Sequence, residues 1–134
     1  MKKIATFILI MMIGTQFLAA QDQTAPVKEK SFTWNETTHD FGKLVQNDPA
    51  SVTFTVKNIG AAPILITTAK SSCGCTVAEY TKEPIKPGES GIVKATYNSA
   101  RVGSFSKTLT VVFDGFAVGE TLIIKGEVEA KSTE

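Results

Sequence analysis

From residue 31 onward, apolar and polar residues alternate in short runs separated by clusters rich in Gly, Pro, Asn and Asp. Alternation with period two sends successive side chains to opposite faces of a β-strand. The cleanest run, 52–58, sets Val52, Phe54 and Val56 on one face and Thr53, Thr55 and Lys57 on the other. In 31–35, Phe32 and Trp34 share a face, and in 92–97 Val93, Ala95 and Tyr97 do. The run 104–113 alternates through Phe105, Leu109, Val111 and Phe113; Lys107 breaks its apolar face and is expected where the strand leaves the core. The run 121–129 turns Leu122, Ile124 and Val128 inward. The segment 64–69 is β-branched and apolar on both faces, as for a strand covered on both sides or lying near an edge-covering loop.

The breaks between these runs have a mechanism. Lys86-Pro87-Gly88-Glu89 is a strong turn signal, since proline presets its own φ and glycine accepts a positive one. Asn47-Asp48-Pro49, 58–63 and 98–103 are further turns or loops, and Gly42 marks a turn or bulge after His39-Asp40-Phe41. Asp114-Gly115 and Gly119 bound another loop. After residue 20 no window sustains a 3.6-residue period. About seven short strands spaced 8–12 residues apart predict an all-β fold, an immunoglobulin-like antiparallel β-sandwich. An up-and-down barrel fits less well, because the strands are short and the loops irregular.

The N-terminus carries a different pattern. Lys2 and Lys3 precede an apolar run from residue 4 to 13, and Leu18-Ala19-Ala20 forms a cleavage site before Gln21, so residues 1–20 read as a signal peptide. From residue 4 to residue 20 the stretch is seventeen residues, short for a membrane span of about 20 apolar residues, and holds Thr6, Gly14, Thr15 and Gln16. The expectation is a cleaved chain, periplasmic or extracellular, with no membrane insertion after cleavage. Of 134 residues, cleavage leaves 114, enough for one domain with one core. Residues 21–30 read as a polar leader, 31–129 as the sandwich and 130–134 as a polar tail. Loss of Lys2 and Lys3 takes the formal charge from +1 to about −1, which makes no electrostatic case for nucleic acid or an anionic membrane surface.

At this point a resemblance becomes specific. His39-Asp40-Phe41-Gly42, the run from Phe54 through Asn58-Ile59-Gly60, Pro63-Ile64-Leu65-Ile66 and Ser72-Cys73-Gly74-Cys75-Thr76 follow one another in the order of a family of exported bacterial domains of unknown function. Ile85-Lys86-Pro87-Gly88-Glu89-Ser90-Gly91 and the closing run Leu122-Ile123-Ile124-Lys125-Gly126-Glu127-Val128 continue the match, so that it spans roughly residues 33–128. The family is similar to Hydin-type and major-sperm-protein-type immunoglobulin-like sandwiches, which implies the same fold here. It implies no activity, and a fold alone does not supply one.

Both cysteines, Cys73 and Cys75, lie one residue apart, and an oxidising compartment would let a bridge persist. Four readings stay open. In an extended strand, residues i and i+2 have Cα atoms about 6.5–7 Å apart, the upper limit for a disulfide, and Gly74 relaxes the backbone between them. A ring so small is strained and easily reduced, which suits thiol–disulfide exchange if a cation lowers the thiol pKa; Lys70 and Lys82 are near in sequence. Two thiolates also suit a soft metal such as Cu(I), whereas a closed zinc site needs more ligands. The plainest reading is two small residues in a tight turn, or a bond to a partner protein.

The lone histidine, His39, reads as a packing or capping residue at a strand end; catalysis would require it beside Ser71, Ser72 or a thiol, with Asp40 or another carboxylate. Asp40-Phe41-Gly42 matches the magnesium-binding tripeptide of protein kinases by coincidence, without their glycine loop or length. Asn35-Glu36-Thr37 matches a glycosylation sequon of little weight. Trp34 and Tyr97 belong with the core, and Tyr80 is the one expected at the surface. No catalytic constellation and no cofactor fingerprint is present. The expectation is an exported, non-enzymatic module that binds protein or glycan in the cell envelope. The alternative is a redox or soft-metal-handling protein using Cys73 and Cys75.

Overall fold

The computed structural model describes residues 29–74 and 76–133. The expected signal peptide, the expected leader up to residue 28 and Cys75 lie outside the described residues. Eight strands form: β1 (Phe32–Trp34), β2 (Thr38–Val45), β3 (Ala50–Asn58), β4 (Ile66–Ser71), β5 (Thr76–Tyr80), β6 (Ser90–Tyr97), β7 (Gly103–Phe113) and β8 (Glu120–Glu129). They make two four-stranded sheets, ordered β1-β3-β6-β5 and β2-β8-β7-β4. This is an immunoglobulin-like sandwich, and its two inner faces meet as the alternation requires. Phe54, Val56, Val93, Leu109, Val111, Leu122 and Ile124 are wholly buried between the sheets.

Several details depart from expectation. The strand count is eight, because 76–80 forms an edge strand on β6. One pair, β2 with β8, is parallel. The chain leaves the first sheet after β1, crosses to the second, and enters beside β8 running in the same direction. Lys107 does not mark the end of the core: beyond it Phe105 is still buried and stacks on Tyr97 at 3.8 Å and 13°. The strand continues inward past the lysine, so a cation occupies an inward position between Phe105 and Leu109.

Two glycines adopt the turn and bulge geometry expected of them. Gly42 has φ +64° where the β2–β8 register slips between Asp40 and Lys43, a bulge that residues with a Cβ adopt only with strain. Gly88 has φ +81° in the turn closed by the Glu89 amide donating to the Lys86 carbonyl at 2.9 Å. Tyr80 is half-buried, contrary to expectation: it packs on the core, donates its hydroxyl to the Thr67 carbonyl at 3.0 Å and lies 3.5 Å beneath the Lys82 ammonium.

Segment 64–69 divides. Ile64 bridges to Ile85, and from Ile66 the chain becomes an edge strand of the second sheet, paired only to β7. The next strand, β5, is an edge of the first sheet. The chain therefore changes sheet between Ser71 and Thr76, at the Cys-Gly-Cys segment.

Candidate functional site

The sheet-switching corner lies at one pole of the sandwich, together with the loop 98–102 that joins β6 to β7. Register explains why: Tyr97 at the end of β6 faces both Thr76 and Ala50, and Ser71 at the end of β4 faces Leu109. The corner is tied to β7 by the Ser72 amide, which donates to the Thr108 carbonyl at 2.8 Å, and by the Thr108 amide, which donates to Ser72 Oγ at 3.3 Å. The Cys73 amide donates to Ser71 Oγ at 3.3 Å.

The facing loop is anchored from the other side. Ser99 is wholly buried; its hydroxyl donates to the Asp48 carbonyl at 2.7 Å, and its own carbonyl accepts the Asn47 amide at 3.1 Å. Asn47 adopts φ +66°, a region asparagine tolerates better than most residues. Asn98 Oδ1 accepts the Ala100 amide at 3.0 Å, and Gln46 Nε2 donates to the Ala100 carbonyl at 3.0 Å. Both lips of the pole are thus held by short-range hydrogen bonds.

Between them lies a cleft of about 460 Å³, lined among others by Cys73, Gly74, Tyr97, Asn98, Arg101 and Lys107. Tyr97 is 5 % exposed and its ring is fixed by the stack on Phe105. Its hydroxyl makes no hydrogen bond among the described residues. Lys107 is half-buried and Arg101 exposed, and among the described residues neither is paired with a carboxylate. Two other surface depressions differ. One, beside the β2 bulge, mixes Lys43 and Lys125 with Asp40 and Glu127. Here Lys43 pairs with Glu129 at 2.6 Å and Lys125 with Asp40 at 3.7 Å. The other mixes Lys82 and Lys94 with Glu79 and Glu83. Among the described residues, the lining of the Cys73 cleft holds no carboxylate.

Cys73 is disulfide-bonded, and Cys75 is the chain's one other cysteine. A bonded sulfur presents no thiolate to a soft metal, so the metal reading requires prior reduction. Among the described residues no group of three His, Cys, Asp or Glu side chains is placed to hold a metal ion. The cations that share the cleft with Cys73 are Arg101 and Lys107, not the sequence neighbours Lys70 and Lys82. Thr76, directly after the corner, buries a hydroxyl that has no partner among the described residues. Sequence reading missed Thr76 and Arg101. It singled out Lys107 only as a flaw in an apolar face, which was the available signal.

His39 is not part of this site. It lies on β2, the edge of its sheet opposite β4, with β8 and β7 between it and Ser71. Its Nδ1 is 3.2 Å from Glu36 Oε1 and its ring meets Phe41 edge-on at 4.8 Å. No serine of the corner comes within reach, which removes the nucleophile–base arrangement.

Residues 32–128 match the profile described as a protein of unknown function, DUF1573. The chain belongs to this family. No curated protein matches it. Among solved structures it is similar to a protein of unknown function from Porphyromonas gingivalis W83, with 19 % identity and a TM-score of 0.62 over 72 % of this chain and 46 % of that one. The chain thus spans under half the length of that relative. It is also similar to the ASH/PapD-like domain 7 of human CEP192, with 9 % identity and a TM-score of 0.61, covering 100 % of this chain and 99 % of that domain. A third is SSP-19 of Caenorhabditis elegans, an MSP-domain-like protein, at 18 % identity and a TM-score of 0.52 over 64 % and 92 % of the two chains. At these identities the likeness establishes an immunoglobulin-like fold for the family's sequence here, and the fold alone.

Proposed function

We propose that the chain is an exported, non-enzymatic immunoglobulin-like module of the cell envelope that binds a protein or glycan partner through the pole carrying Cys73. One observation carries this reading: at that pole two rigidly held loops flank a cleft into which Lys107, Arg101 and Tyr97 bring polar heads that have no partner among the described residues. Buried or half-buried polar groups ordinarily find partners within the fold, and groups that do not are available to a ligand. Export rests on the N-terminal pattern of two lysines, an apolar run and a small-residue site. The test is photo-crosslinking in intact envelopes from position Asn98 on the exposed lip, with and without the double substitution R101E/K107E. Discrete adducts that vanish in the double variant support the reading, and an unchanged adduct pattern sinks it.

A second reading is thiol–disulfide exchange, favoured by the placement of Arg101 and Lys107 around the same cleft as Cys73. A dithiol partner would reduce the bridge, two partner thiols becoming a disulfide while two thiols form here, and nearby cations would stabilise the thiolate. It predicts that R101Q/K107M lowers the reduction potential by roughly 30 mV, about 1.4 kcal/mol in a two-electron couple. Equal potentials in the two proteins would exclude a role for the cations in exchange.

A further inference from the structure

We infer that the cleft beside Cys73 is a carboxylate-binding subsite, in which Lys107, Arg101 and the Tyr97 hydroxyl hold one carboxylate of a partner's acidic side chain or of an acidic sugar. The inference rests on the reading of this pole as the recognition surface and names the chemistry recognised there.

Lys107 is the first argument. Its inward neighbours along β7 are Phe105 and Leu109, both buried, and its register partner Ile124 is wholly buried. A lysine pointing inward is often explained as a charge that keeps an edge strand from pairing with another molecule. That explanation fails here, because β7 lies inside its sheet, between β8 and β4. An apolar residue would suit the site better by packing alone, and a half-buried ammonium without a counter-ion is costly. Its stem can cover the core while the head reaches the cleft.

Tyr97 is the second and independent argument. A tyrosine buried to this degree ordinarily bonds its hydroxyl within the protein. This one lines the cleft with the hydroxyl unbonded among the described residues, on a ring that the Phe105 stack prevents from turning away. Arg101 stands on the opposite lip, and Asn98 commits its Oδ1 to the Ala100 amide, which leaves its amide nitrogen to donate. Lysine and arginine only donate. A cleft lined by donors and two cations, with no acid among its described lining residues, calls for an acceptor-only anion. A carboxylate is such a group and pairs with arginine in a two-point geometry. The described residues form no helix, so no helix N-terminus is present to favour phosphate. The volume, about 460 Å³, suits one residue-sized or sugar-sized group.

The test is calorimetric titration of the purified protein with D-glucuronate and with acetyl-Ala-Glu-Ala-amide, each beside its neutral counterpart, D-glucose and acetyl-Ala-Gln-Ala-amide, and with inorganic phosphate. At least one carboxylate probe should bind, its neutral counterpart at least about tenfold more weakly, and K107M and Y97F should each cost about tenfold. Whichever probe binds identifies the source as peptide or sugar. Y97F keeps the ring and its stack, so its effect reads the hydroxyl and not the fold. The inference is overturned if no carboxylate binds, if a neutral counterpart or phosphate binds as tightly, or if both variants leave affinity unchanged. If carboxylates fail while R101E/K107E still abolishes envelope adducts, only this inference falls. If carboxylates bind while the adducts persist in R101E/K107E, the subsite stands and the broader reading of the pole falls.

Discussion

Asn58 offers the sharpest test of how the opposite pole is held. Its side chain is wholly buried at the end of β3, and every polar atom is used. Nδ2 donates to the Ala62 carbonyl at 2.8 Å and the Ile85 carbonyl at 2.9 Å, while Oδ1 accepts the Gly60 amide at 2.9 Å. One side chain therefore fastens the turn after β3 to the segment that follows β5. Removing it in N58A deletes three hydrogen bonds of about 1 kcal/mol each, so the expected loss is about 3 kcal/mol. The cavity left behind pushes the figure upward. For a domain near 100 residues that loss corresponds to a fall in Tm of about 12–24 °C. Urea unfolding followed by fluorescence of Trp34, the only tryptophan, reads the change directly. N58D is the control for charge. It keeps the acceptor for Gly60 but sets a carboxylate oxygen against two carbonyls, which raises the folded-state pKa above the unfolded value of about 3.9. Below that pH the acid is protonated in both states and the charge penalty is absent. As pH rises through the folded pKa the penalty grows, so the gap to wild type must widen toward neutrality. A cost of N58A below about 1 kcal/mol, or a gap for N58D that stays flat with pH, would falsify the account of this network.

Other outcomes follow from the same geometry. K107M should raise stability by about 1 kcal/mol in urea titration, since it replaces an unpaired inward ammonium with an apolar group of similar length; a loss of that size would assign the lysine a structural role. The double substitution C73S/C75S should leave a folded protein and cost no more than about 2 kcal/mol, because a ring closed over three residues restrains the unfolded chain little. Denaturation under reducing and oxidising conditions checks it. The Lys43 ammonium is held above its ordinary pKa by its hydrogen bond to Glu129 and that residue's charge. A raised lysine pKa gives a contribution that is present below the unfolded value and lost as pH climbs past it, and both partners are exposed. The urea midpoints of wild type and K43M should therefore keep a constant, small separation from pH 6 to 9 and converge only above about pH 10. G126A would bring a Cβ within 2.9 Å of the Gly42 carbonyl and 3.0 Å of the Phe105 ring, and should cost about 1–3 kcal/mol in the same assay.

Much of the fold was legible because burial writes a period of two into the chain. In β3 the residues that alternate in sequence, Val52, Phe54 and Val56, are the ones that lie between the sheets. In β5 the inward positions are Thr76, Ala78 and Tyr80, a hydroxyl, a methyl and a half-buried phenol, so no apolar rhythm announces a strand that backbone pairing to β6 creates. The parallel partnership of β2 with β8 joins segments more than eighty residues apart, and neither carries a local mark of its neighbour. The site was legible only in fragments. Cys73 and Lys107 each stood out, but they share a cleft because the β4–β5 corner and the β6–β7 loop close the same end, and that is a property of topology.

The two poles also explain each other. At the Asn58 end, two connections, β3–β4 and β5–β6, are drawn together by a side chain whose donors and acceptor are all satisfied internally. At the Cys73 end the backbone is held just as firmly, through Ser72, Ser99 and Asn98, yet among the described residues the Lys107, Arg101 and Tyr97 heads at the opening have no partner. A fold that only needed closing would have used the same solution twice. Since a half-buried ammonium without a counter-ion costs stability, and since an apolar residue at 107 would remove that cost, the arrangement makes physical sense when an outside acceptor completes it. The disulfide fits the same logic. The chain must leave one sheet for the other at a place where neither ladder can hold it, and a bond at Cys73 restrains that crossing beside the opening. Rigidity supplied by the backbone and open valence supplied by the side chains is the combination a preorganised binding site requires.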